Sequence, residues 1–201
     1  MFDARIRPLI DPPLNAAGRQ LAAWGISANS ITILGFILGM GGVVLIALGA
    51  PIAGLAVIIV SRIADGLDGA VARATTKTDI GGFLDIVLDF IFYGAVPLAF
   101  AILDPGQNAL PAAVLLLSYF ANGTTFLAYA IMAEKRSLET EAQGVKSLYY
   151  MSGLAEGGET ILAIVLFCLF PAYFPVFAYG YAVLCYASAT GRILLAWRTL
   201  A

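Results

Sequence analysis

Residues 65–89 read DGLDGAVARATTKTDIGGFLDIVLD, and this stretch decides how the rest of the chain is arranged. Four of its aspartates form two close pairs, Asp65 with Asp68 and Asp85 with Asp89, and both pairs border long apolar runs. A charged side chain inside a membrane helix costs about 2.5–3.5 kcal/mol on insertion scales, so carboxylates in such surroundings need partners. We expect bound cations to be those partners.

The spacing of the pairs indicates how cations are shared. On a helix, residues separated by three or four positions lie on one face, with their β-carbons roughly 5–6 Å apart. Asp65 and Asp68 have the first spacing, and Asp85 and Asp89 have the second. Two such faces brought together make a pocket of four carboxylates, which suits Mg²⁺, Mn²⁺ or Ca²⁺ and not soft metals.

The composition predicts an all-α, polytopic integral membrane protein. Of the 201 residues, 61% are hydrophobic, far above the usage of a soluble domain. A span needs about 20 predominantly apolar residues. Windows of that length predict six transmembrane helices: 30–49, 51–72, 81–103, 109–133, 150–170 and 174–197.

The basic residues predict the orientation of these spans. Apart from Arg62, inside the second span, they occur before the first span, in the second and fourth connections and at the end of the sixth span, whereas the first, third and fifth connections hold none. By the positive-inside rule, both termini and the even-numbered connections face the cytoplasm. The expected location is therefore a bacterial inner (cytoplasmic) membrane, with both acidic pairs at its cytoplasmic side.

Two domains are predicted. Residues 1–29 mix Arg5, Arg7 and Arg19 with apolar side chains, a pattern typical of an amphipathic segment on the cytoplasmic membrane surface. An ordinary positive-inside flank is the alternative. Residues 30–201 form the six-helix membrane domain. Only a few polar residues, 74–80, join its second and third spans, so we expect the two acidic pairs to face each other across one cleft.

Other charged residues suggest further roles around this cleft. Arg62 lies one helical turn before Asp65, where it neutralises a neighbouring carboxylate or contacts a phosphate. Lys135, Arg136 and Lys146 are candidates to bind an anionic acceptor, or they simply satisfy topology. Glu156 and Glu159 permit an amino alcohol instead, although acidic residues are also favoured in the first turn of a helix. The chain has no histidine, so proton transfer must use a carboxylate, tyrosine, lysine or the ligand itself.

The acidic stretch resembles the signature of the CDP-alcohol phosphotransferase (CDP-alcohol phosphatidyltransferase) family of membrane enzymes. Eight positions of that signature match in order, and Thr32, with Asn29, agrees with the family before the first span. The matching positions are Asp65, Asp68, Gly69, Ala72, Arg73, Gly81, Asp85 and Asp89.

The resemblance implies a divalent-metal-dependent transferase of phospholipid biosynthesis. Such an enzyme moves a substituted phosphate from a CDP-linked alcohol, usually CDP-diacylglycerol, to a second alcohol and releases CMP. The four aspartates would hold two cations, Mg²⁺ or Mn²⁺, and Asp89 would also be the catalytic base. Nucleotide binding would fall to Thr32, Asp68, Gly69, Ala72 and Arg73. The resemblance also implies a homodimer in the lipid bilayer with no nucleic-acid partner.

The sequence leaves alternatives open for the acceptor alcohol and for the class of protein. Lys135, Arg136 and Lys146 favour a phosphorylated acceptor such as glycerol 3-phosphate or inositol phosphate, whereas Glu156 and Glu159 leave serine, choline or inositol open. An ion-coupled transporter also places carboxylates in the membrane, but its site usually lies near the midplane between repeats. An inactive membrane scaffold is the third alternative.

Overall fold

The computed structural model describes residues 3–136 and 155–201, and for residues 3–9 it describes the backbone alone. Within these ranges the chain is helical and contains no strand, so the predicted all-α class is confirmed. Lys146 and the predicted start of the fifth span lie outside the described residues. The helices are α1 (Asp3–Ala23), α2 (Ala28–Ala47), α3 (Pro51–Ala74), α4 (Asp79–Leu103), α5 (Pro105–Lys135), α6 (Gly157–Leu169), a 3₁₀ turn (Pro171–Tyr173) and α7 (Phe174–Leu200).

Three of the described helices, α2, α4 and α5, are long and apolar enough to cross a membrane. A fourth candidate is the pair formed by α6 and the chain from Pro171 to Leu200, which meet at a bend of 114°. Helix α3 carries Arg62, Asp65, Asp68 and Arg73, and these charges make it too polar to qualify by composition. An integral membrane protein is therefore supported, with three or four candidate spans in the described residues.

Helices α2 and α3 cross where two glycines bring their backbones together. A β-carbon placed on Gly42 would lie 2.8 Å from the carbonyl oxygen of Gly54, and one on Gly54 would lie 2.6 Å from the carbonyl oxygen of Gly42. Neither residue therefore has space for a side chain. Close approach through small residues is the usual way for membrane helices to gain packing energy, because lipid supplies no hydrophobic drive between them.

We expect Gly54→Ala to destabilise the folded protein by about 1–3 kcal/mol, because backbone atoms must move apart to admit the methyl group. The control is Gly41→Ala on α2, since a β-carbon at Gly41 meets nothing within 4 Å. Thermal unfolding in detergent measures both changes. Equal melting temperatures for the two variants would contradict the close crossing.

A cluster of buried phenylalanines joins α4 to the last two helices. The rings of Phe100 and Phe174 stack with centroids 4.5 Å apart, and Phe167 meets both rings edge-on. All three side chains are fully buried. This packing holds the end of α4 that is remote from the acidic residues, so the opposite end is left to form the cavities described below.

The short connection between α3 and α4 positions the acidic stretch. Thr78 ends the connection, and its hydroxyl accepts a hydrogen bond of 3.1 Å from the amide of Gly81. Such a cap satisfies a helix N-terminus that would otherwise lack partners. Helix α1 packs closely against the end of α3: a β-carbon on Gly18 would lie only 2.6 Å from that of Ala70, so this contact has no space for a side chain at Gly18. The end of α3 is therefore held against α1 before the chain turns into α4.

Candidate active site

Three of the four predicted metal ligands lie together. Carboxylate oxygens of Asp65, Asp68 and Asp85 all fall within 4.8 Å of one another. Asp65 and Asp68 project from successive turns of α3, and Asp85 comes from α4 across the cleft. The predicted meeting of the two helices through their acidic faces is therefore observed for these three residues.

The chemistry of this acidic cluster fits a divalent cation. The side chain of Asp68 is only 6% exposed, and its Oδ2 atom is buried without a hydrogen-bond partner. A buried polar atom without a partner carries a desolvation cost that a bound ion would remove. Three carboxylates supply the hard oxygen ligands that Mg²⁺ and Mn²⁺ prefer.

Asp89 lies outside the acidic cluster and is paired with Arg62. The Nη1 atom of Arg62 donates to Oδ1 of Asp89 at 2.7 Å and lies 3.5 Å from Oδ1 of Asp65. The expectation that Arg62 neutralises a neighbouring carboxylate is confirmed. Asp89 as a metal ligand stays a prediction.

A polar cavity of about 820 Å³ adjoins the cluster and is lined by every residue predicted to bind nucleotide. Those residues are Thr32, Asp68, Gly69, Ala72 and Arg73. Oδ1 of Asn15, on α1, accepts hydrogen bonds from Nε and Nη2 of Arg73 at 3.2 and 2.9 Å. Sequence reasoning missed Asn15, because no pattern links a residue of α1 to one 58 positions later.

A second cavity of about 570 Å³ lies on the other side of the acidic residues. Asp85 lines both cavities, whereas Asp89 lines only the second. Arg192 of α7 lines it too, and its Nη1 donates to Oδ1 of Asn122 at 2.6 Å and to the Asn122 carbonyl oxygen at 3.2 Å. Glu156 is a further lining residue. Arg192 is the one basic side chain among the described lining residues.

Two of the residues predicted to bind the acceptor lie away from both cavities. Lys135 and Arg136 are exposed at the end of α5 and line neither cavity. Lys146 lies outside the described residues. Sequence reasoning missed Arg192 as a site residue. The signal that could have found it is a charge inside the predicted span 174–197, which is costly unless the side chain has partners or a function.

A family model described as CDP-alcohol phosphatidyltransferase matches residues 25–196, which is most of the chain. The chain belongs to this family. The resemblance drawn from the eight signature positions is thereby confirmed. Membership in the CDP-alcohol phosphatidyltransferase family, whose members are divalent-metal-dependent enzymes, also favours the transferase interpretation over an ion-coupled transporter.

Two curated relatives agree with this assignment. Inner membrane protein YnjF of Escherichia coli (strain K12) is 44% identical over 200 residues, covering 100% of this chain and 97% of that protein. Archaetidylinositol phosphate synthase of Pyrococcus horikoshii is 31% identical over 170 residues, covering 84% of this chain and 83% of that protein. Similarity to an inner membrane protein agrees with the apolar helices.

Crystal structures of Mycobacterium tuberculosis phosphatidylinositol phosphate synthase share the fold. One holds CDP-DAG, and the alignment has a TM-score of 0.67 at 22% identity, covering 92% of this chain and 93% of that chain. The other is a complex with manganese and citrate, with the same TM-score and identity, covering 92% of this chain and 88% of that chain. The helical arrangement of this chain is therefore the one that the Mycobacterium tuberculosis synthase adopts.

Proposed function

We propose that this protein transfers the phosphatidyl group of CDP-diacylglycerol to the hydroxyl of a small phosphorylated alcohol and releases CMP. Inositol phosphate and glycerol 3-phosphate are the favoured acceptors. Family membership supports the reaction class, and a relative named archaetidylinositol phosphate synthase supports a polyol phosphate. The observation that carries the proposal is Asp85, which lines both cavities. A donor in one cavity and an acceptor in the other would meet beside this carboxylate.

The polar cavity is the proposed donor site. Arg73 offers a planar fork of donors that matches the diphosphate of CDP-diacylglycerol. Gly69 and Ala72 are small enough to let phosphate approach the helix, and Thr32 adds a hydroxyl at the cavity wall. Asp68 completes the nucleotide-binding set predicted from the signature.

The acidic cluster is the proposed metal site. Asp65, Asp68 and Asp85, joined by Asp89, would hold two Mg²⁺ or Mn²⁺ ions between the cavities. When bound, such ions stabilise charge on the diphosphate and favour the departure of CMP. The orphaned Oδ2 atom of Asp68 supports its assignment as a ligand.

Asp89 is the proposed general base. Its carboxylate lines the second cavity, and it accepts the proton of the acceptor hydroxyl while that oxygen forms its bond to the β-phosphorus. The bond from the β-phosphorus to the CMP oxygen breaks, and CMP leaves with the electron pair. The absence of histidine from the chain supports a carboxylate in this role.

The second cavity is the proposed acceptor site. Arg192 would pair with the phosphate of the acceptor, held in place by the side chain and backbone carbonyl of Asn122. Lys135, Arg136 and Lys146 stay predicted contributors at the cytoplasmic mouth. Glu156 lines the same cavity and would favour an ammonium group, so an amino alcohol is the alternative acceptor.

We further propose the membrane setting predicted from the sequence. Six spans, an interfacial segment over residues 1–29 and a domain over residues 30–201 would put both termini and the active site at the cytoplasmic face. The basic residues of the even-numbered connections support this orientation. A water-soluble acceptor would then arrive from the cytoplasm while the acyl chains remain in lipid. A homodimer completes the proposal.

Purified protein in detergent or proteoliposomes tests the function. CMP release from CDP-diacylglycerol is measured with Mg²⁺ or Mn²⁺ and one acceptor at a time: inositol 1-phosphate, glycerol 3-phosphate, inositol, serine or choline. We expect metal-dependent turnover with a phosphorylated acceptor. Turnover with serine or choline alone would instead support an amino alcohol as the acceptor, the alternative favoured by Glu156. No turnover with any acceptor would support the inactive scaffold.

Asn15→Ala is expected to raise the KM for CDP-diacylglycerol, because Arg73 loses the acceptor of its two hydrogen bonds. Hydrogen bonds to a charged group contribute up to about 1.5–3 kcal/mol, but these two are exposed and water can replace them, so the expected rise is about threefold to tenfold with little change in kcat. Gln20→Ala, an exposed change on the same helix, is the control. An unchanged KM would show that α1 does not contribute to binding of the donor.

A further inference from the structure

Arg62 occupies a socket built from three helices. Its side chain is only 10% exposed, and the guanidinium carbon lies 4.3 Å from the ring centroid of Phe92 on α4. Its Nη2 donates to Oγ of Ser61 at 3.2 Å, and that fully buried serine donates to the carbonyl oxygen of Gly35 on α2 at 2.7 Å. A long, mobile side chain is thus held in one place by an aromatic face and a hydrogen-bond chain.

From this socket Arg62 reaches across the cleft to α4. Its 2.7 Å contact with Asp89 joins α3 to α4 through a charged hydrogen bond. Asp85 and Asp89 are one helical turn apart, yet only Asp85 joins the acidic cluster. Both line the second cavity, but the hydrogen bond from the guanidinium goes to Asp89.

We propose that Arg62 is a positioning residue of the transfer reaction. It fixes the Asp89 carboxylate beside the acceptor, with one oxygen held and the other left for the acceptor's hydroxyl. The inference rests on the proposed function, and Arg62 itself touches no substrate. A buried arginine is expensive in a membrane helix, and the socket together with two acidic partners offsets that cost.

The same position makes Arg62 a competitor of bound metal. A fixed positive charge 3.5 Å from Asp65 and 2.7 Å from Asp89 repels a divalent cation at the adjacent carboxylates. Removing the charge should therefore strengthen metal binding while it weakens catalysis. A merely structural arginine would weaken both.

The test uses the full chain in detergent, with Arg62→Met and Arg62→Lys compared. We expect Arg62→Met to lower kcat by about 100-fold with the KM for CDP-diacylglycerol within about threefold, and Arg62→Lys to restore about tenfold of the loss. Mn²⁺ titration followed by electron paramagnetic resonance should show tighter binding to Arg62→Met than to the natural protein. Arg198→Met, an exposed arginine in the last turn of α7, is the control.

A double variant separates positioning from folding. If Arg62 acts through Asp89, adding Arg62→Met to Asp89→Asn should change kcat by less than about twofold. The double variant removes both charges, so neither is left buried without its partner and the protein should still fold. An additive loss overturns the proposal, as does weaker Mn²⁺ binding in Arg62→Met. If the natural protein binds Mn²⁺ but transfers to no acceptor, the proposed function fails. The proposal for Arg62 is then tested by the Mn²⁺ affinity alone: tighter binding to Arg62→Met supports it, and weaker binding overturns it.

Discussion

Asp68→Asn is expected to abolish measurable transfer, lowering kcat/KM for CDP-diacylglycerol by at least about 1000-fold, because a metal ligand worth several kcal/mol to the transition state is lost. The substitution keeps the size of the side chain, so the loss reflects charge and not packing. Asp68 is the most buried member of the acidic cluster, and its Oδ2 atom has no protein partner. Turnover assays with added Mg²⁺ or Mn²⁺ measure the effect.

The same variant should be more stable without metal. Three carboxylates within 4.8 Å of one another repel, and an amide can donate to its neighbours. A gain of about 1 kcal/mol corresponds to about 2–4 °C in melting temperature for a chain of this size. Mn²⁺ should bind at least about tenfold more weakly. Asp104→Asn, at the far end of α4, is the control, because asparagine also caps a helix well. Retained turnover in Asp68→Asn would contradict the metal site.

Asp89→Asn is expected to lower kcat by about 100-fold to 10⁴-fold, the range for loss of a general base, while CDP binding stays within about threefold of normal. Asp89 lines the second cavity and not the polar cavity, so its loss should spare the donor. Steady-state kinetics combined with calorimetric titration of CDP separates the two effects.

The Mn²⁺ affinity of Asp89→Asn identifies which of its predicted roles is larger. An affinity near that of the natural protein would assign Asp89 to proton transfer, whereas a loss equal to that of Asp68→Asn would assign it to the metals. Unchanged turnover would exclude it as the base. Asp104→Asn again serves as the control, since it is an acidic residue remote from both cavities.

The local spacing of the acidic stretch was sufficient to predict much of the site. Helical periodicity puts Asp65 and Asp68 on one face, and a connection of a few residues brings Asp85 opposite them. The position of Arg62 one turn before Asp65 likewise predicted an ion pair with a neighbour, which is present. These features depend on separations of a few residues or on one short turn, so they can be predicted from the sequence alone.

The span count and the acceptor site were harder to predict. A window of apolar residues shows that a segment tolerates lipid, but α3 carries four charges, and two of them, Arg62 and Arg73, find partners on other helices. The charged connection predicts a binding role for Lys135 and Arg136, yet they are exposed and line neither cavity. Charge near a membrane face satisfies topology as readily as it binds a ligand, so sequence position alone does not separate the two.

The sequence by itself determined a helical membrane protein of the CDP-alcohol phosphatidyltransferase family with a carboxylate-rich site, because composition and helical periodicity are local properties. Only the tertiary structure decided that Asn15 holds Arg73, that Arg192 joins Asn122 at a second cavity, and that Arg62 pairs with Asp89. Each of these contacts joins different helices, separated by 27, 58 or 70 positions. The crossings of those helices, set by close backbone packing such as that of Gly42 on Gly54, determine which distant side chains meet.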